Sequence, residues 1–249
     1  MTQGSNAPDS PEVFVARLRA IGAAAYHDKH PFHVLMHQGK LTRRQLQAWI
    51  ENRFYYQWSI PRKDATVLAK AEADREFRRA WIGRITDHDG MGDTEGGISK
   101  WYRLAEAAGL NPADVASLRY VLPAVRFAVD AYVNLCASRP LTDAVASSLT
   151  ELFAPVLMAD RIIALEQLYP WLDSRGLDYF HGRLIQAPRD SEFGLQYVVA
   201  HCTTRESQDR AADALTIKCH ILWGLLDAVH YAYVSPGFLP PLWNDTRKL

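Results

Sequence analysis

Cysteine is scarce in this sequence. Its 249 residues include three, Cys136, Cys202 and Cys219, and no pair has C-x-x-C spacing. Cys136 and Cys219 lie inside apolar helical patterns. An odd count without that spacing argues against a disulfide framework, so we expect buried, reduced thiols in a cytoplasmic protein.

Long apolar runs and an excess of one charge are also lacking. The most apolar late stretch, ILWGLLDAVHYAYV, is interrupted by Asp227 and His230 and is too short to span a bilayer. The N-terminal residues lack the basic and apolar regions of a signal peptide. Lys+Arg and Asp+Glu number 28 each, which disfavours a nucleic-acid coat or a polybasic membrane anchor. We therefore expect a cytoplasmic protein with neither a nucleic acid nor a membrane as partner.

Strand patterns, phosphate-binding loops and repeats are missing as well. No stretch alternates long enough for a strand, and no G-x-G-x-x-G or P-loop occurs. Hydrophobic residues make up 48% of the chain, enough for a large core. The prediction is one all-α domain over residues 1–249, a compact helical bundle with an irregular tail at about 235–249.

Helical periodicity with recognisable caps covers most of the chain. Ser10, Asp74 and the capping-box pair Thr42 and Gln45 predict three helix starts, and Pro61 should end or kink the helix in which it lies. The predicted helices cover about 10–25, 42–60, 74–90, 94–108, 112–119, 122–138, 142–165, 168–174, 177–187, 190–203 and 206–233.

Several polar residues share faces with apolar ones. Lys218 lies on the stripe of Ala214, Ile221 and Leu222. A buried ammonium must be paired or lose its proton, whereas the alternative is a lysine that reaches the surface along its aliphatic stem.

Arg84 and His88 are four residues apart on another face. Asp87, Asp89 and the helix C-terminus should favour the imidazolium form of His88, a residue suited to proton transfer. The alternative is a capping histidine without chemistry.

Further polar residues suggest a shared interior pocket. Arg53, Tyr56 and Gln57 form one patch, with the cations Arg62 and Lys63 beyond Pro61; Tyr132, Glu151 and Arg161 also lie among apolar neighbours. A cluster of inward cations, tyrosines and carboxylate in a bundle indicates a site for a small, aromatic, polycarboxylated ligand.

Four histidines, at positions 27, 30, 33 and 37, raise the possibility of a metal site. Pro31 interrupts the first pair, and the repeated Glu-x-x-His motifs of dinuclear bundle sites are missing. We predict no metal. No nucleophile elbow indicates Ser-His-Asp chemistry.

A set of motifs carries a family resemblance. YHDKHPFH, NRFYYQWSIPRKDA, DHDG, GGISKWYRLAEAAGL, LPAVRFAVDAY, SSLTELFAP, YPWL and KCHILWGLLDA follow one another between about residues 12 and 233. In this order they resemble the pyrroloquinoline-quinone synthase family. The resemblance implies a haem-oxygenase-like bundle of about seven helices that works as a homodimer.

The resemblance also implies a reaction. The family closes a ring and oxidises a quinolinedione that bears three carboxylates and an amino group. Molecular oxygen is the co-substrate, and hydrogen peroxide is released. The family uses no cofactor, and pyrroloquinoline quinone is the product. Handover to other proteins of the pathway is a further expectation. The alternatives are a metal-dependent haem-oxygenase-like oxidase and a non-catalytic carrier of the quinone product.

The resemblance assigns roles to matched positions. His88 matches the general base beside the oxygen site, and Tyr179 with Arg183 matches the pair that closes over bound product. The implied carboxylate clamp is Arg53, Lys63, Arg84, Arg161, Arg183 and Lys218, and the implied pocket lining is Tyr26, His27, Gln57, Tyr132, Thr150 and Glu151.

One position departs from the family pattern. Met158 stands where we expect a histidine, and methionine cannot shuttle protons. This puts part of the proton relay near the oxygen site in doubt. The protein would then be an altered or slower synthase, or it would use a neighbouring residue such as His181 for the proton transfer.

Overall fold

A computed structural model describes residues 7–241 and 243 of the chain. Over these residues the structure is all-α, as predicted, and its only β feature is an isolated bridge between Met91 and Thr94. The eleven α-helices in this part of the chain are α1 (Pro11–Ala25), α2 (Pro31–His37), α3 (Arg43–Leu68), α4 (Arg75–Asp89), α5 (Gly97–Ala107), α6 (Pro112–Ala116), α7 (Pro123–Ser138), α8 (Leu141–Ser147), α9 (Ala154–Leu168), α10 (Asp178–His201) and α11 (Arg205–Tyr233). Short 3-10 helices cover His27–Lys29, Ser148–Phe153 and Ser174–Leu177.

The predicted helix starts are confirmed by their hydrogen bonds. The side chains of Ser10 and Asp74 accept bonds from backbone N–H groups in the first turns of α1 and α4. Thr42 and Gln45 form the complete capping box of α3. These bonds satisfy N–H groups that have no partner inside a helix, which fixes where each helix begins.

Two helices continue through an internal proline, so the helix end that was one of the two outcomes predicted for Pro61 does not occur. α3 continues past Pro61 to Leu68, and α10 continues past Pro188, so the separate helices at 177–187 and 190–203 are one. Each proline removes one backbone bond, but both helices are packed along their lengths. α3 contacts α4, α5 and α7, while α10 contacts α5, α8 and α9. This packing offsets the lost bond.

The opposite error occurs at 142–165, which was predicted as one helix. The 3-10 helix Ser148–Phe153 separates α8 from α9. Pro155 lies in the first turn of α9, a position where its missing N–H is tolerated, and so marks the start of a new helix.

Two further segments differ from the predictions. The helix predicted at 168–174 does not form beyond Leu168, because Tyr169 precedes Pro170 and takes a non-helical conformation, with φ −127° and ψ 67°. The sequence also missed α2, which begins at Pro31 and is capped by the His30 side chain. The count of eleven α-helices over the described residues exceeds the expected seven because short helices are included.

The core consists of two main hydrophobic clusters with the long helix α11 between them. One cluster gathers large side chains of α3, α5, α9 and α10, and the other gathers side chains of α1, α4, α8 and the first half of α11. Tyr56 of α3 packs against both clusters. Polar residues that lie where the clusters meet are therefore enclosed.

Part of the predicted irregular tail lies within the described residues. Residues 235–241 and 243 lie outside helices, as predicted, and the rest of the predicted tail lies outside the described residues. No helix within the described residues is long and apolar enough to cross a membrane. The three cysteines are free and buried.

Candidate active site

A cavity of about 50 Å³ lies where the two clusters meet. Most of its walls are polar although it is enclosed by helices. Its lining residues are Tyr26, His27, Arg53, Tyr56, Gln57, Ile60, His88, Thr150, Glu151, Ala154, Met158, Tyr179, Arg183 and Leu222. Nine of these are residues that the sequence placed in the site.

Helical spacing delivers these side chains to one place. Arg53, Tyr56, Gln57 and Ile60 lie on one face of α3 at i, i+3, i+4 and i+7. Ala154 and Met158 on α9, and Tyr179 and Arg183 on α10, are pairs four residues apart. The 3-10 helix adds Thr150 and Glu151, adjacent residues that both line the cavity.

The remaining predicted residues lie behind this lining. Arg161 lines a smaller adjoining cavity of about 10 Å³, which shares His27 and Arg53 with the first. Lys63, Arg84, Tyr132 and Lys218 are buried but line neither cavity. These four side chains therefore lie behind the residues that line the cavities.

Part of the predicted clamp is already paired with carboxylates. Arg84 makes a two-pronged bond to Glu151, at 2.8 and 2.7 Å, and also contacts Asp64 and Asp190. Arg183 lies 3.3 Å from Glu151 and 3.7 Å from Asp190. Burial alone would raise the pKa of Glu151, but the guanidinium groups of Arg84 and Arg183 lower it.

Lys63 completes this paired cluster. Its ammonium bonds to the carboxylate of Asp64 and lies 3.4 Å from the Ser148 hydroxyl. Lys63, Arg84 and Arg183 thus share the three carboxylates Asp64, Glu151 and Asp190. Buried charges arranged in this way are held mainly by one another.

The other three cations have no such partner. No carboxylate oxygen of the described residues lies within 4.0 Å of the charged groups of Arg53, Arg161 or Lys218. Arg53 stacks on the Tyr56 ring, 3.9 Å from its centroid, and Arg161 lies over Trp49. Burial, together with the charge of Arg53, lowers the pKa of Arg161 to about 10.

Lys218 is fully buried, so the alternative in which it reaches the surface is wrong. Its Nζ bonds to the Tyr56 hydroxyl at 2.7 Å and lies 3.2 Å from the centroid of the Tyr132 ring. Burial and the nearby cations Arg53 and Lys63 lower the pKa of Lys218 well below its usual value. An anion placed beside this ammonium would favour its protonated form.

His88 is neutral, which corrects the predicted imidazolium. Burial and the charge of Arg183 lower its pKa to about 4. The flanking acids do not compensate, because Asp87 pairs with Arg189 and Asp89 is exposed. The Nδ1 of His88 lies 3.1 Å from the Arg84 carbonyl oxygen, which can only accept, so Nδ1 carries the proton and Nε2 keeps a lone pair. This is the form of a general base.

Tyr56 and Met158 also line the cavity, although the sequence did not include them among the predicted site residues. The sequence noted Tyr56 but did not include it among the site residues, although its contacts with Arg53 and Lys218 make it a central wall residue. Met158 does line the cavity, with its sulfur 3.7 Å from Nη1 of Arg161. His181, suggested as a substitute for the missing histidine, is exposed and does not line the cavity.

The histidine segment does not form a metal site in the described residues. No group of three or more His, Cys, Asp or Glu side chains there could hold a metal ion. His30 caps α2 and contacts Asp227 at 3.0 Å, while His33 contacts Arg161. His30 thus has a structural role, and His33 faces a cation beside the cavity.

Comparison with known proteins agrees with the fold and the motifs. A model described as the TENA/THI-4/PQQC family matches residues 15–228. Pyrroloquinoline-quinone synthase of Rhizobium meliloti is 55% identical over 95% of this chain and 92% of its own, and that of Acidiphilium cryptum is 52% identical over 93% and 94%.

Solved structures share the architecture at low identity. A domain of unknown function with a haem-oxygenase-like fold from Shewanella denitrificans has a TM-score of 0.70 at 14% identity, covering 91% of this chain and 93% of its own. A TenA homologue from Pseudomonas syringae has a TM-score of 0.67 at 13% identity, covering 92% and 96%. These likenesses confirm the predicted haem-oxygenase-like fold. On the family match and the identity to its relatives, the chain belongs to the TENA/THI-4/PQQC family.

Proposed function

We propose that this protein is a pyrroloquinoline-quinone synthase. It closes a ring in a quinolinedione that bears three carboxylates and an amino group and oxidises it by several electrons, with molecular oxygen as the acceptor. Relatives of that name are 55% and 53% identical over 95% of the chain. The observation that carries the proposal is a set of three cations without carboxylate partners among the described residues around the cavity, of which Arg161 and Lys218 are buried and Arg53 is half-buried.

Charge complementarity links this cavity to the substrate. Arg53, Arg161 and Lys218 have no carboxylate within 4.0 Å in the described chain, and the substrate brings three carboxylates. Each bond between such a cation and a carboxylate is about twice as strong as a neutral hydrogen bond. The empty cavity is thus short of negative charge, and the ligand supplies it.

His88 supplies the base in this proposal. Its Nε2 lone pair belongs to a residue that lines the cavity, and its pKa of about 4 keeps the ring unprotonated at neutral pH. Removing a proton from the substrate raises its electron density and lets it pass electrons to oxygen. For each O₂ reduced to H₂O₂, two electrons and two protons leave the substrate, so a proton acceptor is required.

Tyr179 and Arg183 form the wall on the α10 side. The Tyr179 hydroxyl donates to Oε1 of Gln57 at 2.8 Å, and Arg183 is held by Glu151. These bonds tie α10 to α3 and to the 3-10 helix across the cavity. In the proposal they exclude water while the protein positions the substrate and stabilises negative charge, without a cofactor of its own.

Three further features belong to the proposal and extend beyond the site. A cytoplasmic location is supported by the three free buried cysteines. Handover of substrate or product to another pathway protein is supported by a 49% identical relative from Methylorubrum extorquens, described as bifunctional coenzyme PQQ synthesis protein C/D. A homodimer is proposed from the resemblance.

Turnover of the quinolinedione precursor tests the function. Metal-stripped protein is mixed with the precursor in air, and oxygen uptake, peroxide and the quinone spectrum are followed. We expect quinone formation and peroxide without added metal. Turnover that needs added iron would indicate a metal-dependent oxidase, and product binding without turnover would indicate a carrier.

Two variants separate the chemical step from binding. His88→Asn keeps an N–H for the Arg84 carbonyl but has no basic nitrogen, so oxidation should slow by about 100-fold or more with little change in precursor affinity. Lys218→Ala should mainly weaken precursor binding. Equal oxidation rates for wild type and His88→Asn would remove His88 from the mechanism.

A further inference from the structure

His33 lies behind the cavity wall and contacts two residues of the site. Its Nε2 is 3.1 Å from Nη2 of Arg161. Its Nδ1 is 2.9 Å from the carbonyl oxygen of His27 and 3.1 Å from the Nδ1 of His27. The ring is buried and lines the smaller cavity with Arg161 and His27. His33 is not among the residues assigned to the site above.

These contacts determine where the proton of His33 resides. A guanidinium only donates hydrogen bonds, so the Nε2 facing Arg161 must be the unprotonated acceptor. A carbonyl oxygen only accepts, so the Nδ1 facing His27 must carry the proton. Both requirements give the same neutral tautomer. Burial and the charge of Arg161 also lower the pKa of His33 well below its usual value.

The tautomer of His33 then determines that of His27. The Nδ1–H of His33 is close to the Nδ1 of His27, so the latter must offer a lone pair, because two N–H groups would oppose each other. Burial and the cations Arg53 and Arg161 lower the pKa of His27 well below its usual value, so the ring is neutral. Its single proton is therefore on Nε2.

We propose that His33 is a positioning residue that orients the Arg161 guanidinium and fixes His27 as the Nε2–H tautomer. His27 lines the main cavity, so it offers the ligand a hydrogen-bond donor and no base. This part rests on the proposed function: the donor would bind a carboxylate or quinone oxygen. His88 has the opposite tautomer, with a lone pair on Nε2, so the two histidines divide donor and acceptor roles.

Nitrogen-15 NMR of histidine-labelled protein tests the tautomers directly. Protonated and unprotonated ring nitrogens of neutral histidine have well-separated ¹⁵N shifts, and a His27→Gln sample assigns the His27 signals among the nine histidines. We expect His27 to show an unprotonated Nδ1 and a protonated Nε2 near neutral pH. A protonated Nδ1 on His27 would overturn the proposal. The spectrum needs no substrate, so its result is independent of the proposed reaction.

Two variants separate the two contacts of His33. The Asn amide nitrogen falls near the position of Nδ1, and the Gln amide near that of Nε2. His33→Asn keeps a donor for His27 but loses the acceptor for Arg161, so the precursor KM should rise by about 10- to 100-fold with the His27 tautomer unchanged. His33→Gln can still accept from Arg161, so KM should change by less than about threefold while the His27 tautomers become mixed.

His37→Gln is the matched control. His37 is one turn from His33 on α2, its ring stacks on the His33 ring at 6.0 Å, and it lines neither cavity. We expect it to leave both KM and the His27 spectrum as in wild type. If both His33 variants raised KM equally while the His27 spectrum stayed unchanged, His33 would only fill space and the proposal would be wrong.

Discussion

The neutral state of His88 makes the stability of the protein depend on pH in a way that can be calculated. The ring has a pKa of about 4 in the folded protein, against 6.5 for an ordinary histidine. As pH falls below 6.5 the unfolded chain binds a proton at this residue and the folded protein does not. Protonation therefore favours the unfolded state, and the free energy of unfolding should fall as pH falls from 6.5 towards about 4.

The size of the effect follows from the difference in pKa. At about 1.4 kcal/mol for each pKa unit, the full loss is about 3 kcal/mol. Between about pH 7 and about pH 5 the loss from His88 alone should be about 2 kcal/mol. Above about pH 7 both states are neutral at this residue, so its contribution no longer changes.

His88→Asn isolates this contribution. Asparagine does not titrate, and its amide can still donate to the Arg84 carbonyl oxygen that His88 contacts. Urea denaturation of wild type and variant is measured at about pH 7, 6 and 5. Other buried histidines, His27 and His33 among them, are present in both proteins and cancel in the comparison. The wild type should lose about 2 kcal/mol more than the variant.

His201→Asn controls for the loss of a helix-end hydrogen bond. His201 bonds to the Tyr197 carbonyl through Nδ1 at 2.8 Å, in the same i to i−4 arrangement, but it is exposed. This variant therefore removes an imidazole ring that makes the same kind of backbone hydrogen bond from an exposed position. Parallel pH curves for wild type and His88→Asn would refute the argument, and a steeper loss in the variant would mean that His88 is charged when folded.

Three other predictions concern charge and packing. Urea denaturation should show that Arg84→Met lowers the free energy of unfolding by about 3–5 kcal/mol, because buried carboxylates lose their partner. Arg161→Met should not destabilise the protein without ligand, because Arg161 has no carboxylate partner in the described chain to leave unpaired. Isothermal titration of the precursor should show weaker binding to Lys218→Met than to wild type, because the variant lacks one of the cations that face no carboxylate of the described residues. Gly22→Ala should lower the melting temperature, because its Cβ would lie 1.9 Å from the Phe153 ring. The Cβ of Gly83→Ala would meet no atom of the described part of the chain within 4 Å, so this variant should raise the free energy of unfolding by about 0.5–1 kcal/mol. An equal change in both glycine variants would contradict the packing argument.

Local signals in the sequence predicted the parts of the fold that depend on local chemistry. Ser10, Thr42 and Asp74 cap helices as expected, because a cap is a bond between neighbours in the chain. The predicted helix end at Pro61 and the predicted break between 187 and 190 do not occur, because the packing that keeps both helices intact comes from distant segments. The same limit applies to the 3-10 helix, whose Thr150 and Glu151 line the cavity.

Burial explains why the composition of the site could be predicted better than its charge states. Lys218 was recognisable as a cation on an apolar face, and it is fully buried. The charge of His88 was predicted from its neighbours Asp87 and Asp89, but it is decided by burial and by Arg183, which is 95 residues away in sequence on α10. A sequence pattern shows which groups are adjacent in the chain; it does not show which charge is closest in the fold.

The six cations implied as a clamp divide into two groups with different roles. The first group, Lys63, Arg84 and Arg183, is paired with three carboxylates, so the cluster is nearly neutral. Its ion pairs hold α3, α4, α10 and the 3-10 helix together. Because this cluster is balanced, it adds little net attraction for an anion. Arg53, Arg161 and Lys218 remain unbalanced in the described chain, so the charge that the cavity selects is set by these three. A ligand with three carboxylates restores neutrality, whereas a ligand with one would leave buried cations uncompensated at a cost of several kcal/mol.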